Sequence, residues 1–227
     1  MILRQLDYIS KKNNNNRIII CTTKLKSDDK LVTLLKINNF EVFRGSNEDI
    51  LDRLYSASKK YRLNEVVVVE GDDIFCDPNL IKKTCKKILE SDYDFISWKN
   101  YPIGISPVGL KTKNLKKLVQ IKSVKNTETG WKEMIIESGL FHSKYFVTKN
   151  KFLTRTDIRL TIDYIDDFKI AEKIYHQLAK NLSLKNIIEL FNKNPDWIKS
   201  SKQIQKKYER NYQKKKAKNI IRRSLKK

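Results

Sequence analysis

Apolar and polar positions along this 227-residue chain switch between two spacings, and the switches lay out its elements. Leu3, Leu6 and Ile9 recur at helical spacing, so residues 2–12 predict a helix. Residues 13–16, all asparagine, break it. Arg17-Ile18-Ile19-Ile20-Cys21 reads as a short buried strand. Ser27-Asp28-Asp29 then starts a helix to about Ile37, with Leu31, Leu34 and Leu35 facing inward. Phe40-Glu41-Val42-Phe43 predicts a strand, and Ser46 with Asp49 three residues on gives a capping-box-like start to a helix over 47–60. Four consecutive valines, Val66 to Val69, predict a strand over 65–70 that is buried on both faces. Pro78 stands where a first-turn proline belongs and opens a helix over 78–90; Phe95-Ile96-Ser97-Trp98 is the next strand.

This alternation predicts an α/β fold, with a parallel sheet between two layers of helices. Past Tyr101 the regularity drops, and Pro102, Gly104, Pro107 and Gly109 mark loops and short strands. Residues 111–119 read as helical. Residues 126–150 carry no clear period, although Trp131 and Phe141 suggest a cover over a pocket. A strand at 157–162 restores the pattern, followed by helices at about 164–179, 183–193 and 196–212. The expected organisation is one unit over 1–200 and a basic tail over 201–227, helical at first and disordered over its last dozen residues.

Charge changes this picture little. The formal net charge is +22, and half of it sits in residues 201–227, where twelve Lys and Arg face one acid, Glu209. The remainder is spread through a chain rich in Lys, Asn and Ile, which reads as a proteome-wide compositional bias. The tail therefore reads as solvated, and nucleic acid is not an expected partner. No apolar run approaches the length of a membrane span, and too little apolar sequence precedes Lys11-Lys12 for a signal peptide. Cys21, Cys76 and Cys85 match neither a zinc spacing nor a disulfide framework, so a cytoplasmic setting is expected.

Candidate chemistry gathers at two acidic corners that end apolar runs. One is Glu70-Gly71-Asp72-Asp73, after the valines; the other is Asp163, after Arg159-Leu160-Thr161-Ile162, with Asp166 and Asp167 beyond it. Gly71 lets the backbone turn, and a carboxylate at a strand's carboxyl end lies where open α/β sheets place their ligands. Taken singly, each aspartate would equally serve as a turn or helix cap, a role open to Asp73, Asp77 and Asp166 as well. As a pair on two strands, Asp72 and Asp163 suit one Mg²⁺ shared with phosphate oxygens. Arg44-Gly45-Ser46 follows the strand at 40–43 and would form an anion or ribose site, or else a capped helix with a solvated arginine. Asp52 and Arg53 read as a surface pair, and His142 and His176 as structural.

At these residues the chain resembles a known family. The segment from Glu41-Val42-Phe43-Arg44-Gly45-Ser46 to Asp52-Arg53 resembles the spore-coat-polysaccharide cytidylyltransferases, relatives of the CMP-KDO and CMP-sialic acid synthetases. Gly71-Asp72-Asp73-Ile74-Phe75-Cys76-Asp77-Pro78 resembles their Gly-Asp-Cys-Pro-x-x-Asp-Pro element, with Asp73-Ile74 departing from Cys-Pro. Tyr101-Pro102-Ile103-Gly104 resembles their substrate-loop Pro-x-Gly, and Arg159-Leu160-Thr161-Ile162-Asp163 their Arg-Leu-Thr-Val-Asp. The resemblance runs to about residue 212. It implies a three-layer α/β/α nucleotide-diphospho-sugar-transferase-like fold with a mostly parallel sheet. It implies transfer of CMP from CTP to a sugar or sugar acid for cell-surface polysaccharide, with release of pyrophosphate. Asp72 and Asp163 would be the catalytic Mg²⁺ ligands, Arg44, Gly45 and Gly71 would touch nucleotide, and Pro102 and Gly104 would touch the acceptor. A homodimer contact through 100–150 follows by the same analogy.

The resemblance also sets an expectation at the N-terminus. Relatives open with a buried strand and a Gly-, Arg- and Lys-rich loop that cradles the CTP phosphates, whereas Met1 falls at the first helix. The first strand of the sheet is therefore expected to be missing, and residues 1–227 are expected to bind CTP poorly until such a segment is added. Two other readings stand beside this one: a glycosyltransferase using a ready-made nucleotide sugar, and a non-catalytic binding protein. No clear Asp-x-Asp supports the first of these; the missing loop supports the second.

Overall fold

The computed structural model describes residues 1–11, 13 and 16–224, with 217–224 through their backbone alone. The chain alternates helices and strands: α1 (Ile2–Ser10), β1 (Ile19–Thr23), α2 (Asp29–Ile37), β2 (Glu41–Gly45), α3 (Ile50–Tyr61), β3 (Glu65–Val68), α4 (Pro78–Glu90) and β4 (Phe95–Lys99). There follow β5 (Val108–Lys111), α5 (Leu115–Ile121), α6 (Trp131–Glu137), β6 (Ser143–Val147), α7 (Ile165–Leu178), α8 (Leu184–Lys193) and α9 (Pro195–Ser224).

The strands form a parallel pair, β1-β2, and a four-stranded sheet in the order β3-β5-β4-β6. β5 runs antiparallel to both β3 and β4, and β6 runs parallel to β4, so β3, β4 and β6 share one direction. The reversal at β5 has a simple cause. Residues 100–107 are too few for the crossover that a parallel neighbour needs, so the chain returns beside β4 in the opposite sense. β1 pairs only with β2 and β3 only with β5 among the described residues.

That placement corrects the expectation for the valine run. All four residues of β3 are half-buried, because β3 borders its sheet. Its side chains still alternate between two layers: Val66 and Val68 pack with Leu51, Leu115 and Trp131, while Val67 and Val69 pack with Leu6, Leu35 and Ile81. Period-two alternation between two helix layers makes the three-layer arrangement.

Four local expectations change as well. Asp49, not Ser46, caps α3, accepting from the backbone N of Asp52 at 3.1 Å. The stretch 126–150, which showed no clear period, supplies α6 and β6 and seats Trp131 and Phe141 in the core beside Phe95 and Leu110. Residues 157–162 make one isolated parallel bridge, Ile103 to Arg159, in place of a strand. Arg53 turns from Asp52 to the carbonyl of Ser46 and the carboxylate of Glu128.

Pro78 opens α4 as expected, and Asp77 caps it by accepting from the backbone N of Asn79 and Leu80, both at 2.9 Å. The backbone of α9 stays helical to Ser224, into the stretch expected to be disordered; residues 225–227, like 12, 14 and 15, lie outside the described residues. No helix among the described residues is long and apolar enough to cross a membrane.

Candidate active site

The turn 70–73 leaves β3 at its carboxyl end. The backbone N of Asp73 donates to Glu70 O at 3.2 Å, and the buried Gln5 of α1 donates its Nε2 to Glu70 O and Asp73 O at 2.9 and 3.1 Å. The second acidic corner is drawn to the first by one backbone bond: Ile162 N donates to Asp72 O at 3.1 Å. Asp72 and Asp163, ninety-one positions apart in the chain, therefore stand at one corner of the fold.

Their electrostatics report the crowding. Asp72 is open to solvent on one side; burial on the other, then the charges of Glu70 and Asp163, push its carboxyl above the usual range against the pull of Lys132. Asp163 is also pushed up by burial, with the Arg159 guanidinium opposing. Asp73 is buried, and burial with the neighbouring Glu70 charge raises it to about 7. All three carboxylates are thus held where burial and crowding disfavour their charge.

Two basic side chains hold this corner. Lys132, the second residue of α6, pairs with Glu70 Oε2 at 2.5 Å, and Trp131 Nε1 donates to Glu70 Oε1 at 3.0 Å. Arg159 is 3% exposed. Its Nη2 donates to Asp163 and its Nε to Asp167 Oδ1 at 3.1 Å. Asp167 Oδ2 in turn accepts from the backbone N of Asp163 and of Tyr164, both at 3.0 Å, closing the start of α7. Neither Lys132 nor Gln5 stood out in the sequence, because a lysine in an aperiodic stretch, or a glutamine within a helix, carries no local signal; Glu70 was read only as part of the acidic run and Trp131 only as a cover.

The loop 101–105 packs against the same corner. Ile103 N donates to Ile158 O at 2.9 Å, and Leu160 N to Ile103 O at 2.8 Å. Gly104 has φ +88°, and a Cβ there would lie 2.5 Å from Thr161 N, so this position needs glycine. Pro102 is buried. Gly71 does not turn through the left-handed region; its exposed site, with nothing within 4 Å of an added Cβ, leaves open space beside Asp72.

Arg44 and Gly45 lie at the carboxyl end of β2, in the two-stranded sheet. Arg44 donates to Thr23 O, Leu25 O and Asp29 Oδ1 at 2.7–2.9 Å, so its guanidinium braces the loop after β1. Gly45 is packed, since an added Cβ would meet Phe43 and Arg53 at 2.8 and 2.9 Å. Among the described residues no hydrogen bond or ion pair joins Arg44 or Gly45 to Asp72 or Asp163.

No group of three or more His, Cys, Asp or Glu among the described residues is arranged to hold a metal. Two hard carboxylates fit Mg²⁺ that takes its other ligands from phosphate and water. An Asp-x-Asp does occur, Asp92-Tyr93-Asp94, but at the amino end of β4, the sheet edge opposite the corner. There Asp94 accepts from His142 N and pairs with Lys113.

A family model described as "Cytidylyltransferase" matches residues 1–204. The chain is 32% identical over 195 residues to the uncharacterised protein MJ1063 of Methanocaldococcus jannaschii, covering 84% of this chain and 79% of that protein. It is 25% identical over 186 residues to the spore coat polysaccharide biosynthesis protein SpsF of Bacillus subtilis, covering 79% and 76%. Among solved structures, a cytidylyltransferase from Leptospira borgpetersenii matches with a TM-score of 0.76 at 23% identity, covering 87% and 84%, a likeness of fold.

Proposed function

We propose that this chain, which belongs to the cytidylyltransferase family, transfers CMP from CTP to a sugar or sugar acid destined for a cell-surface polysaccharide. The nucleotidyltransferase role follows from the family; the polysaccharide setting is supported by the SpsF relative. The observation that carries the site is the bond from Ile162 N to Asp72 O, which unites two distant acidic corners.

In this reading an acceptor hydroxyl attacks the α-phosphorus of CTP: its oxygen forms the new P–O bond, its proton leaves to solvent, and the bond to pyrophosphate breaks. Asp72 and Asp163 would hold Mg²⁺, which supplies charge neutralisation at the α-phosphate and the leaving pyrophosphate. The protein's own residues do the positioning. Arg159 orients the Asp163 carboxylate, and Lys132 tethers α6 to Glu70 and keeps the corner's net negative charge within bounds. Gly71 leaves room for a phosphate beside Asp72. Gly104 presses the loop carrying Pro102 against Thr161, where an acceptor would meet the nucleotide. Fixed carboxylates and a fixed loop contribute by orientation and preorganised charge.

The test is pyrophosphate release from CTP with Mg²⁺ and a panel of sugar and sugar-acid acceptors. With a Gly-, Arg- and Lys-rich phosphate-binding segment added before Met1, release is expected, and its loss in Asp72→Asn. Nucleoside diphosphate or monophosphate released from a nucleotide sugar would overturn this reading in favour of a glycosyltransferase.

A further inference from the structure

The sequence assigns residues 201–227 to a solvated tail, yet α9 reaches back into the acidic corner. Ser201 and Ile204 are 1% and 7% exposed and dock the helix onto the body. One turn on, Gln205 Oε1 accepts from Arg159 Nη1 at 2.6 Å, and the Tyr208 ring covers the guanidinium at 4.9 Å. The phenol of Tyr208 is pushed up by burial and by the charges of Asp163, Glu70 and Asp72. Further along, Asn211 donates to the Tyr164 hydroxyl at 3.1 Å, and Tyr212 donates to Glu133 Oε1 at 2.7 Å. Thus α9 joins the start of α7 to α6, the two elements that carry Asp167 and Lys132.

Resting on the reading of Asp163 as a metal ligand, we propose that Gln205 and Tyr208 are positioning residues of the nucleotide–metal site, acting on Asp163 through Arg159. The three nitrogens of that guanidinium go to Asp167, Gln205 and Asp163, one each. With Gln205 gone, a buried N–H loses its acceptor, and the guanidinium must shift toward one of the two carboxylates. Asp167 sits within α7 and is fixed by accepting from the backbone N of Asp163 and of Tyr164, so the freed guanidinium moves the more exposed Asp163 side chain. The packing of Ser201 and Ile204 already holds the helix; the polar contacts at 205 and 208 serve the corner.

The experiment is a Mn²⁺ titration of the full chain, followed by the resonance signal of the free ion, with thermal melts of each variant. Mn²⁺ is the probe for the carboxylate pair. Asp163→Asn is expected to lose binding. Gln205→Leu and Tyr208→Leu are each expected to weaken it by about tenfold, the usual scale for removing a ligand's supporting partner. Gln205→Glu, which keeps an acceptor for Arg159, is expected to bind like the wild type. Tyr208→Leu reads the same link should Gln205→Leu fail to fold. Wild-type Mn²⁺ affinity in both leucine variants overturns the proposal. So does equal weakening in Gln205→Glu and Gln205→Leu, which would mean that α9 acts by docking alone. Unchanged binding in Asp163→Asn overturns instead the reading of Asp163 as a ligand.

Discussion

At the scale of single residues, position matters more than residue type. Gly104 and Gly71 look alike in sequence and differ in what they do. Gly104→Ala is expected to cost about 1–2 kcal/mol for the left-handed backbone alone. The collision with Thr161 N adds to that, and a thermal melt of the variant reads the sum. Gly71→Ala is expected to leave the melt unchanged, since nothing lies within 4 Å of the added methyl. Asp28 shows the same principle with charge. It accepts from the hydroxyls of Thr22 and Thr23, both at 2.6 Å, and from Thr23 N, which hold its carboxyl down at about 2. A carboxyl depressed in the folded state stabilises it above the ordinary carboxylate pKa, and that stabilisation is lost as pH falls through about 2. Asp28→Asn should therefore melt below the wild type at pH 7, and the two curves should converge near pH 2. A gap that stayed constant across that range would mean that Asp28 contributes by shape alone.

At the scale of elements, what was legible followed from local chemistry. Pro78 and Asp77 announce α4, and its bounds match the expectation because cap and first-turn proline sit together in the sequence. The acidic corner was legible as two aspartates after apolar runs. The side chains that hold it were not, because Gln5, Lys132 and Gln205 come from helices far away in sequence, and only the fold brings them near. The stretch 157–162 misled for a related reason: its partner, the loop around Gly104, is too irregular to pair along its length, so one bridge stands where a strand was expected. Asp49 tests how elements are joined. It caps α3, and it also accepts from the Thr127 hydroxyl and pairs with Lys122, whose side chain is 8% exposed. Asp49→Ala removes the cap and strands a buried ammonium, so a loss of about 3–5 kcal/mol is expected in a denaturant titration. A loss near 1 kcal/mol would reduce Asp49 to a simple cap.

At the scale of the whole molecule, charge and site point in different directions. The net charge of +22 resides half in the last 27 residues, while the chemistry gathers where carboxylates crowd. The fold resolves this by using the early part of the basic helix as a structural arm across the corner. The three-layer arrangement was legible from the alternation of periods. The division between the pair β1-β2 and the sheet of the four strands β3 to β6 was legible only with the family in mind, because no single strand signals its neighbours. The central claim is that Asp72 and Asp163 form one site for a metal-bound nucleotide. Its most direct test is calorimetric titration of CTP with and without Mg²⁺ into the wild type, Asp72→Asn, Asp163→Asn and the double variant, each extended by a Gly-, Arg- and Lys-rich phosphate-binding segment before Met1. Each single variant is predicted to abolish the gain in affinity that Mg²⁺ confers, and the double variant to lose no more, as residues acting as a unit do. Retention of that gain in either single variant, or losses that add, would place the two carboxylates in separate sites and contradict the account.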